Sequence, residues 1–158
     1  MATPPSATTT SAERELLITR VLDAAPGLVF EAWTNPEHLV QWWGPAGFTT
    51  PFCTMNVRPG GAYRICMRAP DGTEHWVQGV YREIVAPERL VSTWAWEDAE
   101  GRPGDESLLT VTFEEHGGKT KLTLHHGVFG TVEERDNHES GWTAILVRLA
   151  AHVTESEG

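Results

Sequence analysis

The rhythm of hydrophobic and polar positions changes three times along this chain. In "ELLITRVLDA" (15–24), Leu16, Ile18, Arg20 and Leu22 alternate with Leu17, Thr19, Val21 and Asp23, the two-residue period of a strand. "APGLVFEAWT" follows, with Pro26 suited to a first helical turn and Leu28, Val29, Ala32 and Trp33 at helical spacing. "NPEHLVQWWGP" restarts a helix. Asn35 is a good N-cap, Pro36 takes the next position, and the acid Glu37 suits the first turn. Gly44-Pro45 ends it. Two short helices therefore follow one strand.

Further strands are expected over 48–58, 62–69, 73–85, 90–97, 107–115 and 119–128, divided by the turn-rich words "RPGG", "APDG", "APER", "DAEGRPGD" and "EHGG". Short connections between successive strands predict an antiparallel meander. The rhythm changes last in "TVEERDNHESGWTAILVRLAAHV" (131–153), where Trp142, Ile145, Leu146, Leu149 and Val153 fall on one helical stripe. Stepping back four residues puts His138 on that stripe too. The acids of "TVEERD" suit the positive end of the helix dipole. A curved antiparallel sheet of this size can bury its concave face under the final helix, an α+β fold.

Composition narrows the picture. A length of 158 residues suits one domain, expected over 15–153 between a disordered leader (1–14) and a short tail (154–158). The leader lacks the basic start and apolar stretch of a secretory signal, and no apolar run is long enough to span a membrane. The net charge of −10, from 22 acidic and 12 basic side chains, argues against nucleic acid and anionic membrane surfaces as partners. Two cysteines without an export signal predict a reducing cytoplasm and no disulfide framework.

Five words in this order carry a resemblance: "VFEAWTNPEHLVQWWGP" (29–45), "RPGGAYRICMRAPDG" (58–72), "GVYREIVAPERLVSTWAWED" (79–98), "LTVTFEEHGGKTKLTLHHGVF" (109–129) and "HESGWTAILVRLAAHV" (138–153). The chain resembles the SRPBCC, or START-like, superfamily, in the branch similar to the C-terminal domain of activators of the heat-shock protein 90 ATPase. The resemblance covers about residues 15 to 153 and speaks for fold more than for function. It implies a helix-grip fold: a seven-stranded antiparallel sheet wrapped around the C-terminal helix, with the short helices closing one edge and an apolar cavity between sheet and helix. One tryptophan of the Trp42-Trp43 pair would then pack under the sheet edge while the other covers the mouth. Asn56 stands where many relatives are expected to carry an acid, so a role of that acid toward a partner or ligand would be missing here.

Strand parity assigns the sheet faces. A three-residue loop Pro59-Gly60-Gly61 would pair Cys53 with Met67, Met55 with Ile65 and Val57 with Tyr63, all apolar. Leu109, Val111 and Phe113 share a face, as do Leu122, Leu124 and His126, and as do Trp94 and Trp96. The expected ligand-binding set is Trp43, Met55, Tyr63, Ile65, Met67, Trp94, Trp96, Phe113, Leu124, His126, His138, Trp142 and Ile145.

His126 and His138 are the histidines placed on apolar faces. A buried imidazole pair can anchor a ligand, relay a proton or begin a metal site, whereas the plain alternative is a core histidine bonded to a carbonyl or to Trp. His125 and His126 point to opposite faces and cannot chelate together, and no Cys-x-x-Cys or His-Glu-x-x-His spacing supplies further ligands, so no metal or other cofactor is expected. Ser92, Ser107 and Ser140 lack a triad setting, and "RPGG" is a turn rather than a phosphate loop. Cys53 reads as an inert core thiol. Cys66 points the other way beside Arg64 and Arg68, a setting that would lower its pKa a little.

Three functions follow in order. The first is a carrier or sensor for a small, largely apolar molecule, which the implied cavity and seven tryptophans favour. The second is an enzyme like the polyketide cyclases and aromatases of the superfamily, with His126, His138, Tyr63 and Glu83 as its candidate proton-handling groups. The third is a chaperone partner. The activators resembled carry a further N-terminal domain, whereas a short leader precedes residue 15 here, which puts this reading last. A second copy of the chain stays open as a partner.

Overall fold

A computed structural model describes residues 11–157. Most of the expected leader lies outside these residues; within them, Ser11–Arg14 form a single 3-10 turn. Seven strands follow: β1 (Leu16–Leu22), β2 (Thr49–Met55), β3 (Ala62–Arg68), β4 (Glu74–Val85), β5 (Arg89–Trp96), β6 (Ser107–His116) and β7 (Lys119–Gly127). Between β1 and β2 lie α1 (Pro26–Thr34) and α2 (Pro36–Trp42), and the chain closes with α3 (Val132–Glu157). The helix thus runs four residues past the 153 at which the apolar stripe ends. Thr131 caps it by accepting from the Glu134 N–H at 3.0 Å, while the Glu134 carboxylate accepts from the Gly130 N–H at 3.1 Å.

The seven strands form one antiparallel sheet in the order β1-β7-β6-β5-β4-β3-β2. This is the α+β helix-grip architecture. The two strands nearest the N-terminus therefore lie at opposite edges, and α1 and α2 carry the chain between them. A single residue, Asn35, separates the two helices. Asn35 ends the first by donating its backbone N–H to Glu31 O and starts the second by accepting from the Glu37 N–H on its side chain.

Parity places the faces as the alternation predicts. Leu109 opposes His126, Val111 opposes Leu124 and Phe113 opposes Leu122 on the concave side. Trp142, Ile145, Leu146, Leu149 and Val153 of α3 are all buried against it. The first hairpin differs from expectation. Cys53 pairs with Ile65 and Met55 with Tyr63, two residues displaced from the predicted register. The connection is correspondingly longer, closing where the Asn56 N–H donates to Ala62 O. The cause lies in the neighbouring strand: the Gly60 N–H donates to Tyr81 O, and the Tyr81 N–H donates to Gly61 O. A turn tied to β4 is not free to choose the shortest loop. Because the slip is even, every side chain keeps its face.

Candidate functional site

The tryptophan pair shows how local sequence meets tertiary demand. The α2 helix ends between the two, with Trp43 already extended at φ −69° and ψ 133°. Trp42 therefore follows the helix into the core, donates its N–H to Ala32 O at 3.2 Å and meets the Trp33 ring at 4.9 Å. Trp43 leaves in a different direction, toward Trp94 and Trp142 at 5.8 and 5.6 Å. Both are buried, so neither acts as a loose cover. Gly44 then turns at φ +91°, where a Cβ would also stand 2.9 Å from Phe48 Cβ.

Arg148 of α3 fixes this turn. One guanidinium nitrogen donates to Gly44 O at 2.9 Å, Pro45 O at 3.1 Å and Trp43 O at 3.2 Å, with Phe48 O at 3.4 Å. The other reaches Gln41 O at 3.1 Å. A helix end and a tight turn leave carbonyls without partners, and a planar five-donor cation can collect them.

Beside this turn lies a pocket of about 490 Å³. Trp43, Pro45 and Phe48 form one wall, and Met67, His75, Trp94 and Trp96 from the sheet form the second. Asn137, His138, Gly141, Trp142 and Ile145 of α3 close the third. A smaller inner cavity of about 40 Å³ lies between Trp33 and Leu39 on one side and the strands β2 to β6 on the other. Trp43 and Trp94 line both spaces.

Of the residues expected to bind ligand, Trp43, Met67, Trp94, Trp96, His138, Trp142 and Ile145 line the outer pocket. Met55, Tyr63 and Ile65 line the inner cavity. Phe113, Leu124 and His126 line neither and are core residues. Sequence reasoning missed Pro45, Phe48, His75, Asn137 and Gly141. Gly141 was within reach, since it falls three residues after His138 and four before Ile145 on the same helical face. His75 was within reach too, because it opposes Met67 on the concave face.

The histidines form two closed hydrogen-bond chains. Trp142 donates to His126 Nδ1 at 3.0 Å, and an indole nitrogen can only donate, so the imidazole proton sits on Nε2. That nitrogen faces Ser107 Oγ at 2.8 Å, and the hydroxyl in turn reaches Trp94 O at 3.4 Å. Burial holds the His126 pKa well below its ordinary value, with the neighbouring His138 and His125 acting in the same direction. Both nitrogens are engaged inside the fold, so His126 is not the ligand anchor expected of it. His138 accepts from the Trp96 N–H at 2.8 Å on Nε2 and donates to Glu134 O at 2.7 Å from Nδ1. Burial lowers its pKa as well, against the opposing pull of Glu134. In both rings each nitrogen already has a partner within the fold.

The thiols also separate. Cys53 lies on the concave side, and burial pushes it up to about 11. Cys66 is fully buried on the convex side, and burial raises its pKa although Arg68 and Arg64 pull it down. The expected lowering is therefore reversed, because desolvation outweighs partly exposed cations.

A sequence model described as "Activator of Hsp90 ATPase homolog 1-like protein" matches residues 23–154, most of the chain and all of the strands from β2 onward. The chain belongs to that family. Among solved structures, the AHSA1 protein from Silicibacter pomeroyi shares 30% identity over 90% of this chain and 99% of that one, with a TM-score of 0.81. A protein from Chromobacterium violaceum shares 31% identity over 89% and 96%, with a TM-score of 0.80. One from Arthrobacter aurescens shares 25% over 93% and 90%, with a TM-score of 0.83. No curated protein matches significantly. For this member of the AHSA1-like family, as for those relatives, the helix wrapped by the sheet is the common frame. No helix among the described residues is long and apolar enough to cross a membrane.

Proposed function

We propose that the protein binds a small, largely apolar molecule in the pocket between α3, the Trp43–Phe48 turn and the concave face of the sheet. The reading rests on one observation above the rest: the pocket of about 490 Å³ is walled by tryptophans, Phe48, Met67 and Ile145, with few polar groups among them. Its volume suits a molecule of two or three fused rings. A rigid frame supports it, since Arg148 holds one wall and the Trp96–His138 and Trp142–His126 bonds hold another. We place this activity in a reducing cytoplasm, where Cys53 and Cys66 remain free thiols.

Gly141 adds a second support. Glycine inside a helix is unfavourable by roughly 1 kcal/mol relative to alanine. Here its missing side chain faces open space on the pocket side, with no atom within 4 Å of an added Cβ. The helix thus sacrifices stability where a side chain would fill the pocket. The neutral fluorescent probe N-phenyl-1-naphthylamine should bind the wild type with enhanced emission, and Gly141→Leu should abolish binding without loss of stability in urea. Absence of probe binding to the wild type, or equal binding by Gly141→Leu, would refute the proposal. Native mass spectrometry of the purified protein would then identify any molecule carried from the cell.

A further inference from the structure

The outer pocket has an apolar floor and a polar rim. Trp43, Trp94, Trp142 and Ile145, which line it, are buried. Of its lining residues only His75 and Asn137 are exposed. The same two carry its unused polar groups. His138 has both ring nitrogens engaged, with Trp96 and with Glu134 O, and the Trp142 N–H is held by His126. Neither the His75 ring nor the Asn137 amide makes a side-chain hydrogen bond with any described residue.

His75 is held in position by its neighbours. It opposes Met67 across β3 and β4, which puts its side chain on the concave face. Its ring lies 6.2 Å from that of Phe48 and stands edge-on to Trp96 at 6.5 Å, and both of those rings line the pocket. Asn137 comes from the α3 wall, four residues before Gly141 on the same helical face. A neutral imidazole presents one donor and one acceptor, and an amide presents both kinds too, so a hydroxyl finds its complement in either. A carboxylate fits poorly. No lysine or arginine lines the pocket, the Asp71 carboxylate in the turn before β4 interacts electrostatically with His75, and the chain as a whole carries a charge of −10. An ammonium only donates, and no carboxylate lines the pocket to meet it.

We propose that the ligand lays its apolar rings on the buried tryptophans and keeps a neutral hydroxyl at the mouth, where His75 receives it. This inference rests on the pocket reading above and deepens it: the molecule is amphiphilic, and His75 fixes which end points inward. Such an anchor selects among apolar molecules of one shape, which the apolar walls alone cannot do.

The compounds 2-naphthol and 2-methylnaphthalene share one bicyclic frame and differ by a hydroxyl in place of a methyl group. Each is titrated as a competitor against bound N-phenyl-1-naphthylamine at neutral pH, on the wild type and on His75→Phe. Phenylalanine keeps a ring against Phe48 and Trp96 and removes both nitrogens. In the variant 2-naphthol should lose roughly fivefold in affinity, the ratio expected for one neutral hydrogen bond, while 2-methylnaphthalene should not weaken. In long-range ¹H–¹⁵N spectra of the wild type, 2-naphthol but not 2-methylnaphthalene should shift the His75 ring nitrogens. Should the variant fail to fold, those wild-type shifts decide. An equal effect of the substitution on both competitors, or no selective shift, would overturn the anchor and leave the pocket reading standing, with His75 as plain wall. Tighter wild-type binding of 2-naphthoate or of 2-naphthylmethylammonium than of 2-naphthol would show a charged head and overturn the neutral one. Failure of the probe and every competitor to bind would overturn both the anchor and the pocket.

Discussion

Replacing Arg148 by methionine tests whether the Trp43–Phe48 turn is held by the long helix or merely rests against it. Methionine keeps much of the aliphatic stem and removes the fork, so lost packing is small beside lost hydrogen bonding. The guanidinium reaches five carbonyls, but one nitrogen supplies four of those contacts and has only two hydrogens to share. Counting two full charge-assisted bonds at about 1.5 kcal/mol each gives a destabilisation of about 3 kcal/mol. Arg148 is only half-buried and water can reach some of the freed carbonyls, which makes that figure an upper bound. Urea melts should therefore show a loss between about 1 and 3 kcal/mol, against less than about 0.5 kcal/mol for the exposed neighbour Val147→Ala. The loss should be local before it is global. Hydrogen exchange over 41–48 should accelerate in Arg148→Met while β6 and β7 keep their protection. Arg148→Lys should recover only part of the stability, because an ammonium cannot span carbonyls spread along the turn. If Arg148→Met melts like Val147→Ala and its exchange pattern is unchanged, the carbonyl contacts contribute nothing and the turn is held by its tryptophans.

Three further outcomes follow from buried groups. His126 is neutral in the fold with a depressed pKa, so between that value and the unfolded one near 6.5 the unfolded chain binds the extra proton. Stability should then fall as pH drops below about 6.5, and His126→Phe, though less stable at neutral pH, should lose up to about 1.4 kcal/mol per pH unit of that slope in urea melts at stepped pH. An identical slope in the mutant would show that His126 titrates freely. Cys53 and Cys66 lie on opposite faces, so thiol counting should find two free groups in denaturant and slow reaction in the native protein; a disulfide in the intact monomer would contradict the sheet register. At Gly79, an added Cβ would overlap the Thr93 carbonyl oxygen across the strand and stand 2.6 Å from the Tyr63 ring. Gly79→Ala should therefore destabilise by more than about 2 kcal/mol in the same melts, and a neutral result would mean β4 and β5 can separate cheaply.

The order of elements and the sheet faces were legible in the chain because both follow from local periods. A strand alternates every two residues, α3 repeats its apolar stripe every 3.6, and Asn35-Pro36 and Gly44-Pro45 punctuate α2 through backbone geometry alone. Twelve of the thirteen expected ligand-binding residues were drawn from these faces and Trp43 from the tryptophan pair, and ten of the thirteen line at least one of the two spaces. What the sequence could not decide is which concave residues meet empty space and which meet each other. His126 and His138 look alike on their apolar faces; only the fold shows that Trp142 and Ser107 saturate the first while the second borders the pocket. The hairpin slipped because Gly60 and Gly61 answer to Tyr81, a partner twenty residues on. Arg148 gave no signal at all, since its five acceptors are backbone carbonyls about a hundred residues away and belong to no side-chain pattern. Local periodicity reports what each residue turns toward the core. Cavities, saturated histidines and a cation gathering carbonyls depend on what arrives from elsewhere in the chain, and only the closed tertiary structure brings those partners together.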